Sequence, residues 1–146
     1  MLHLLKVFLI FTVMSVPGEI NYNDALQFVM NNEKFKEVIE DESKNNDYLP
    51  VVFITNERVS KKINLTMFDK KVIIENYKEN SDHIKDGHPY LSLEKAKYKK
   101  RSNELDLVMV YNKAKIVMTL EKKGNSWTLQ SFERKKRKNF AFGWDF

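Results

Sequence analysis

Between Leu91 and Arg134 the chain carries two hairpin-type turn sequences, Asn112-Lys113 and Gly124-Asn125, set in runs that alternate apolar and polar residues. Nothing else constrains the fold as tightly. Strand side chains alternate faces with a period of two, so a hairpin is consistent only if its turn brings like faces together on both arms. With the first turn at Asn112-Lys113, Met109 falls opposite Ile116, Leu107 opposite Met118 and Leu105 opposite Leu120. The other face pairs Val108 with Val117, Asp106 with Thr119 and Glu104 with Glu121. Gly124-Asn125, where Gly takes positive φ without a Cβ clash, sets Leu120 against Leu129 and Lys122 against Trp127. A loop at Arg101-Ser102 places Tyr98 opposite Leu105 and Ala96 opposite Leu107. Leu91 and Leu93 are out of phase with Ala96 and Tyr98, which predicts a β-bulge near Glu94-Lys95. The outcome is a four-stranded antiparallel meander with one apolar face. Burying each large side chain there is worth roughly 1.5–3 kcal/mol, so another part of the chain must cover it.

The cover is upstream. From Asn23 the apolar period becomes helical: Tyr22, Ala25, Leu26 and Val29 form one stripe, and Phe35, Val38 and Ile39 a second. Asp24 with Gln27 has the form of a capping box. Asn31-Asn32 is a poor helix interior and predicts a break or a restart at Asn32. Asn45-Asn46-Asp47 reads as a turn and Leu49–Thr55 as a short strand, whose unbroken apolar run suggests burial on both sides. Ile63–Phe68 is open between strand and short helix, Lys71–Glu75 reads as a strand, and Asn80–Pro89 as a polar loop. The fold class expected is α+β, an N-terminal helix or helix pair packed on an antiparallel sheet that ends in the four-stranded meander.

At 146 residues the chain suits one domain with a core of its own. It contains no cysteine, which excludes disulfides, cysteine-ligated metal sites and thiol catalysis. The net charge of +5 conceals a split: residues 19–94 hold 15 acids against 10 bases, and residues 95–146 hold 14 bases against 5 acids. A split of this kind offers a basic surface to an anionic partner, or draws an acidic helix onto a basic sheet within the fold. The second reading is preferred. At the N-terminus, Lys6 followed by the apolar run Val7–Val16 and then Gly18 reads as a signal peptide over residues 1–18, leaving a single domain over 19–146. The run is shorter than the about 20 apolar residues that span a bilayer. The competing reading is a buried N-terminal strand or helix.

Candidate sites are few. His83 and His88, with Asp82 beside them, could ligate a transition metal, but their spacing does not stack them on a helix face, and a solvated loop is the plainer reading. No catalytic or cofactor motif is present. The basic clusters are Lys97–Arg101 and Arg134–Lys138, and the candidate partner-binding residues are Lys99, Lys100, Arg101, Lys135, Lys136, Arg137 and Trp144. The meander predicts that the two clusters lie at opposite corners, where lysines also keep sheet edges from pairing with other chains. Glu104 and Glu121 are expected as cross-strand neighbours on an exposed face, without the cleft a carboxylate pair needs for catalysis. Asn64-Leu65-Thr66 fits a glycosylation sequon. Phe140–Phe146 places four aromatics in seven residues and is expected to fold back onto the chain, with Trp144 as the anchor.

The HPYLSL run at 88–93, the Gly-Asn-Ser-Trp turn at 124–127 and a helix preceding LPVVF at 49–53 resemble small exported α+β proteins of Bacteroidota-type bacteria. The resemblance covers about the last third of the chain and the upstream element order. It implies a compartment and a fold type, cystatin-like or NTF2-like in outline, with a helix lying across a curved antiparallel sheet. Three functions are expected to compete. The first is an exported, non-catalytic binding or accessory protein of the cell envelope. The second is a cytosolic nucleic-acid-binding module using the basic C-terminal part, and the third an NTF2-like enzyme with a pocket between helix and sheet.

Overall fold

The computed structural model describes residues 20–43, 52–55, 63–76 and 90–137. Helix α1 (Tyr22–Asn31) is capped by Asn21, whose Oδ1 accepts from the Asp24 N–H at 3.3 Å while its Nδ2 donates to Asp24 Oδ2 at 2.9 Å. This is a reciprocal cap in the frame Asn21–Asp24, three residues ahead of the expected Asp24–Gln27 box. Gln27 is engaged elsewhere, its Nε2 donating to Thr66 O at 3.0 Å and its Oε1 accepting from the Thr66 N–H at 2.9 Å. Asn32 is the break expected from the sequence. Extended at ψ 129°, it donates its N–H to Val29 O and accepts the Phe35 N–H, so it ends α1 and caps α2 (Glu33–Glu42).

The strands in chain order are β1 (Val52–Thr55), β2 (Thr66–Met67), β3 (Lys70–Lys71), β4 (Ile73–Asn76), β5 (Leu91–Lys99), β6 (Glu104–Tyr111), β7 (Ala114–Lys123) and β8 (Ser126–Lys136). β2 and β3 make a small ribbon, and the other six form one sheet in the order β4-β1-β5-β6-β7-β8. The fold is α+β, with the meander β5–β8 antiparallel throughout. Every cross-strand pair derived from the turns is present, including Leu105↔Leu120, Val108↔Val117, Tyr98↔Leu105 and Lys122↔Trp127. The bulge of β5 leaves Glu94 without a cross-strand partner between Leu93 and Lys95, as expected. Positive φ falls at Asn103, Asn112 and Gly124, one in each turn of the meander.

Departures from expectation lie at the other end of the sheet and in β8. β1 pairs in parallel with both β4 and β5, which makes the whole sheet mixed. Phe53 of β1 is buried in the core. The ambiguous 63–68 segment supplies β2, which turns through Phe68 and Asp69, both at positive φ, into β3. The strand expected at Lys71–Glu75 is therefore divided, with Val72 donating to Leu65 O between the two pieces. In β8 a second bulge at Gln130 separates Leu120↔Leu129 from Thr119↔Ser131. Beyond it the inward face passes from odd to even numbers, so Phe132 packs against the core and Arg134 stands opposite Ile116. The turn at 45–47, the loop at 80–89, the segment at 1–18 and the tail at 140–146 lie outside the described residues.

The helices cover the apolar face. Ala25, Leu26, Val29 and Met30 from α1 and Phe35, Val38 and Ile39 from α2 join Leu105, Leu107, Met109, Tyr111, Ile116, Met118 and Leu120 in one core, with Phe53 and Leu65. Deleting Gln130 and Ser131 together removes the bulge and inverts the strand beyond it, turning Glu133 inward and Phe132 and Arg134 outward. Chemical denaturation is expected to show a loss of roughly 2–4 kcal/mol for the deletion. Gln130→Ala keeps the bulge and should stay within about 0.5 kcal/mol of the parent. Gln27→Leu removes both contacts to Thr66, and a loss of about 1–3 kcal/mol with faster exchange of the Thr66 amide is the expected result.

Candidate functional site

The face of the meander turned away from the helices is built from four rows. Across β5 to β8 they read Ser92–Val110–Lys115–Lys135, Lys95–Val108–Val117–Glu133, Lys97–Asp106–Thr119–Ser131 and Lys99–Glu104–Glu121–Thr128. The bulge at Glu94 produces the lysine column, since it turns Ala96 and Tyr98 inward and Lys95, Lys97 and Lys99 outward. The register also places the two basic clusters at opposite ends of the meander, as the turns predict. Lys99 sits at one end, with Lys100 and Arg101 exposed in the β5–β6 turn. Lys135 and Lys136 end β8 at the other, where the Arg137 N–H donates to Lys113 O at 2.7 Å. Trp144 lies outside the described residues.

Charge on this face is interleaved, not pooled. Lys99 Nζ lies 2.9 Å from Asp106 Oδ2 and 3.9 Å from a Glu104 oxygen. Lys115 reaches Glu94 at 4.0 Å, and Lys135 reaches Glu133 at 3.5 Å. The hydrogen bond from Lys99 holds the Asp106 carboxyl below its ordinary range against a smaller opposing effect of burial, with the Thr119 hydroxyl donating to its other oxygen at 3.0 Å. The same hydrogen bond raises Lys99. Each acid lowers the local potential that a polyanion would meet, so the lysine column is a mixed-charge surface with a small valine spot, Val108 and Val117, at its centre.

Arg134 belongs to a basic cluster named from the sequence, but its partners were not foreseen there, and neither was the contact of Ser43 with Tyr111. Arg134 donates to Asp41 Oδ2 at 2.8 Å and to Glu42 Oε1, tying β8 to the end of α2. Its guanidinium is raised above the ordinary value by those bonds, Asp41 first. The hydroxyls of Ser43 and Tyr111 lie 2.8 Å apart in the core, with Ser43 Oγ also donating to Ile39 O at 2.6 Å. Burial raises the Tyr111 hydroxyl and keeps it neutral. The three-residue step from Leu129 to Phe132 was the sequence sign of the bulge that delivers Arg134. Nothing local pointed to Ser43.

The layer between helices and sheet, where a pocket would form, is filled by apolar side chains such as Leu26, Phe35, Phe53, Leu107 and Met109. Among the described residues no group of three His, Asp or Glu is placed to hold a metal ion, and no helix is long and apolar enough to cross a membrane. His83 and His88 lie outside them. Comparison with protein-family models, curated proteins and solved structures finds no match.

The lowered Asp106 carries a pH signature. Its folded pKa is depressed, so the stabilisation it brings is present above about pH 4, the unfolded value, and fades as pH falls through the folded value. Asp106→Asn should therefore be less stable than the parent at neutral pH, with the gap closing in acid. Paired denaturation curves from pH 2 to 7 check this, and a carboxyl-directed NMR titration of Asp106 gives the shift directly.

Proposed function

We propose that this is a small exported α+β protein of the cell envelope that binds a partner and does not catalyse a reaction, with the open face of the meander as its contact surface. The observation that carries the reading is the division of labour between the two faces. The helix-side face buries apolar side chains of the described residues, and the buried polar contact there, Ser43 with Tyr111, fastens α2 to β6. A small-molecule site of the usual kind needs a concave cavity with a few convergent polar groups, and the buried side chains among the described residues are apolar apart from that contact. The outer face is broad, hydrogen-bonded and rich in paired charges around Val108 and Val117. Such a surface favours protein recognition, where complementary charge sets orientation and rejects wrong partners. The compartment rests on the apolar run Val7–Val16 behind Lys6.

The competing reading, a nucleic-acid module, draws on Lys95, Lys97, Lys99, Lys100 and Arg101 along one strand and its turn. Against it, Glu104 and Asp106 stand beside that column, and the second basic cluster is at the far end of the sheet. Fractionation followed by N-terminal sequencing tests the export claim: a mature chain starting near Glu19 outside the cytosol is expected, and an intact Met1 on cytosolic protein would sink it. Titration with mixed-sequence RNA and DNA at about 50 mM salt tests the alternative. Little binding is expected there, whereas submicromolar affinity with a steep salt dependence would move the reading to nucleic acid.

A further inference from the structure

We propose that the partner lays an extended segment across the strands of the outer face, along the row Lys95–Val108–Val117–Glu133. The segment carries a carboxylate over Lys95, an apolar side chain over the two valines and a cation over Glu133. This rests on the proposed role of the face as contact surface. Of the four rows, this one alone joins part-exposed apolar surface to charge of opposite sign at its two ends. In the row through Val110 that valine is buried. The row through Asp106 has no apolar member, and the last sets Glu104 beside Glu121.

The charges at both ends are available. Lys95 and its neighbour Lys97 are exposed and carry no ion pair among the described residues, whereas Lys99, Lys115 and Lys135 do. Glu133 pairs with Lys135 at 3.5 Å, but the two side chains are 62% and 51% exposed, so water screens the pair and the carboxylate can meet a second cation. Ion pairs bound the row on either hand, Lys115 with Glu94 on the side of Val110 and Lys99 with Asp106 on the other. A carboxylate displaced toward β6 meets Asp106 in place of a free lysine, so repulsion as well as attraction sets the register. Length decides the direction. From β5 to β8 is three strand spacings, about 14 Å, and the first, third and fifth residues of an extended segment share a face over about 13 Å. A segment crossing near the perpendicular, an angle that packed sheets adopt, brings those three side chains to the lysine, the valines and the glutamate. Laid along β5 it would meet Lys95, Lys97 and Lys99 and no apolar side chain. A phosphate backbone over the row would have Glu133 and Asp106 against it and nothing to place on the valines.

The probe is a hairpin peptide closed by D-Pro-Gly, which holds it extended, with Glu-Thr-Val-Thr-Lys on the strand it presents. A second hairpin presents Glu-Thr-Glu-Thr-Glu, and an oligouridylate is the third probe. In 15N-edited titrations of the full chain at about 50 mM salt, the first hairpin should shift the amides of Lys95, Val108, Val117 and Glu133. It should also bind at least threefold more tightly than the second. Lys95→Glu or Glu133→Lys alone should weaken that binding by roughly threefold or more. Together they restore the row with its ends exchanged, so the hairpin turns end for end and affinity should return to within twofold of the parent. Both positions are exposed, and the far-ultraviolet dichroism of all three variants should match the parent. A double variant as weak as either single one overturns the proposal. If the all-acid hairpin binds as tightly as the mixed one, the assignment to this row falls while the face stands as a contact surface. If neither hairpin shifts an outer-face amide, the role of the face falls with it. Tighter binding of the oligouridylate than of either hairpin overturns the proposal in favour of nucleic acid.

Discussion

A strand presents its side chains alternately to two faces, so a single extra residue inverts every side chain beyond it unless a bulge takes that residue up. This chain uses that rule twice. Glu94 is the residue that the bulge of β5 takes up, and in regular alternation Lys95, Lys97 and Lys99 would point at the helices while Ala96 and Tyr98 met solvent. Gln130 is the residue taken up in β8, and the bulge there keeps Phe132 and Arg134 toward α2 where regular alternation would put Ser131 and Glu133. The composition of both faces, apolar within and mixed-charge without, follows from these two insertions.

The second insertion also answers a difficulty in α2. That helix ends on Glu40, Asp41 and Glu42 with no base in its last turn, the wrong sign for the partial negative charge at a helix C-terminus. Arg134 supplies the missing cation from across the sheet. Around it the end of α2 is fastened by Asn112 Nδ2 to Glu42 O at 3.1 Å, by the Lys113 N–H to Glu42 Oε2 at 3.2 Å, and by Ser43 to Tyr111. The ion pairs are partly exposed, and each is worth no more than about 1 kcal/mol. Their effect is to fix where α2 lies, since apolar packing alone is non-directional. At the other end Gln27 serves the same purpose, using both ends of its amide on the backbone of Thr66.

The charge split along the sequence resolves in part inside the fold: Arg134 meets the acids of α2, as an acidic helix on a basic sheet would predict. Lys99, Lys115 and Lys135 of the meander pair with Glu104 and Asp106, with Glu94 and with Glu133. A net charge of +5 therefore overstates how basic any one described surface is.

The sequence by itself determined the meander. Its turns are local, its alternation has a period of two, and the step of three from Leu93 to Ala96 disclosed the first bulge. It determined the helix break as well, because Asn32 is a weak interior residue and a strong cap. The same step of three from Leu129 to Phe132 marked the second bulge, but beyond it only one apolar residue remained to show the new phase. Tertiary structure alone decided that β1 enters in parallel between β4 and β5, since alternation within a strand carries no information about which edge it joins or in which direction. It also decided the partners of Arg134, Gln27 and Ser43. Those contacts join residues far apart in the chain, and such pairings become readable only once the backbone has brought the groups within hydrogen-bond reach.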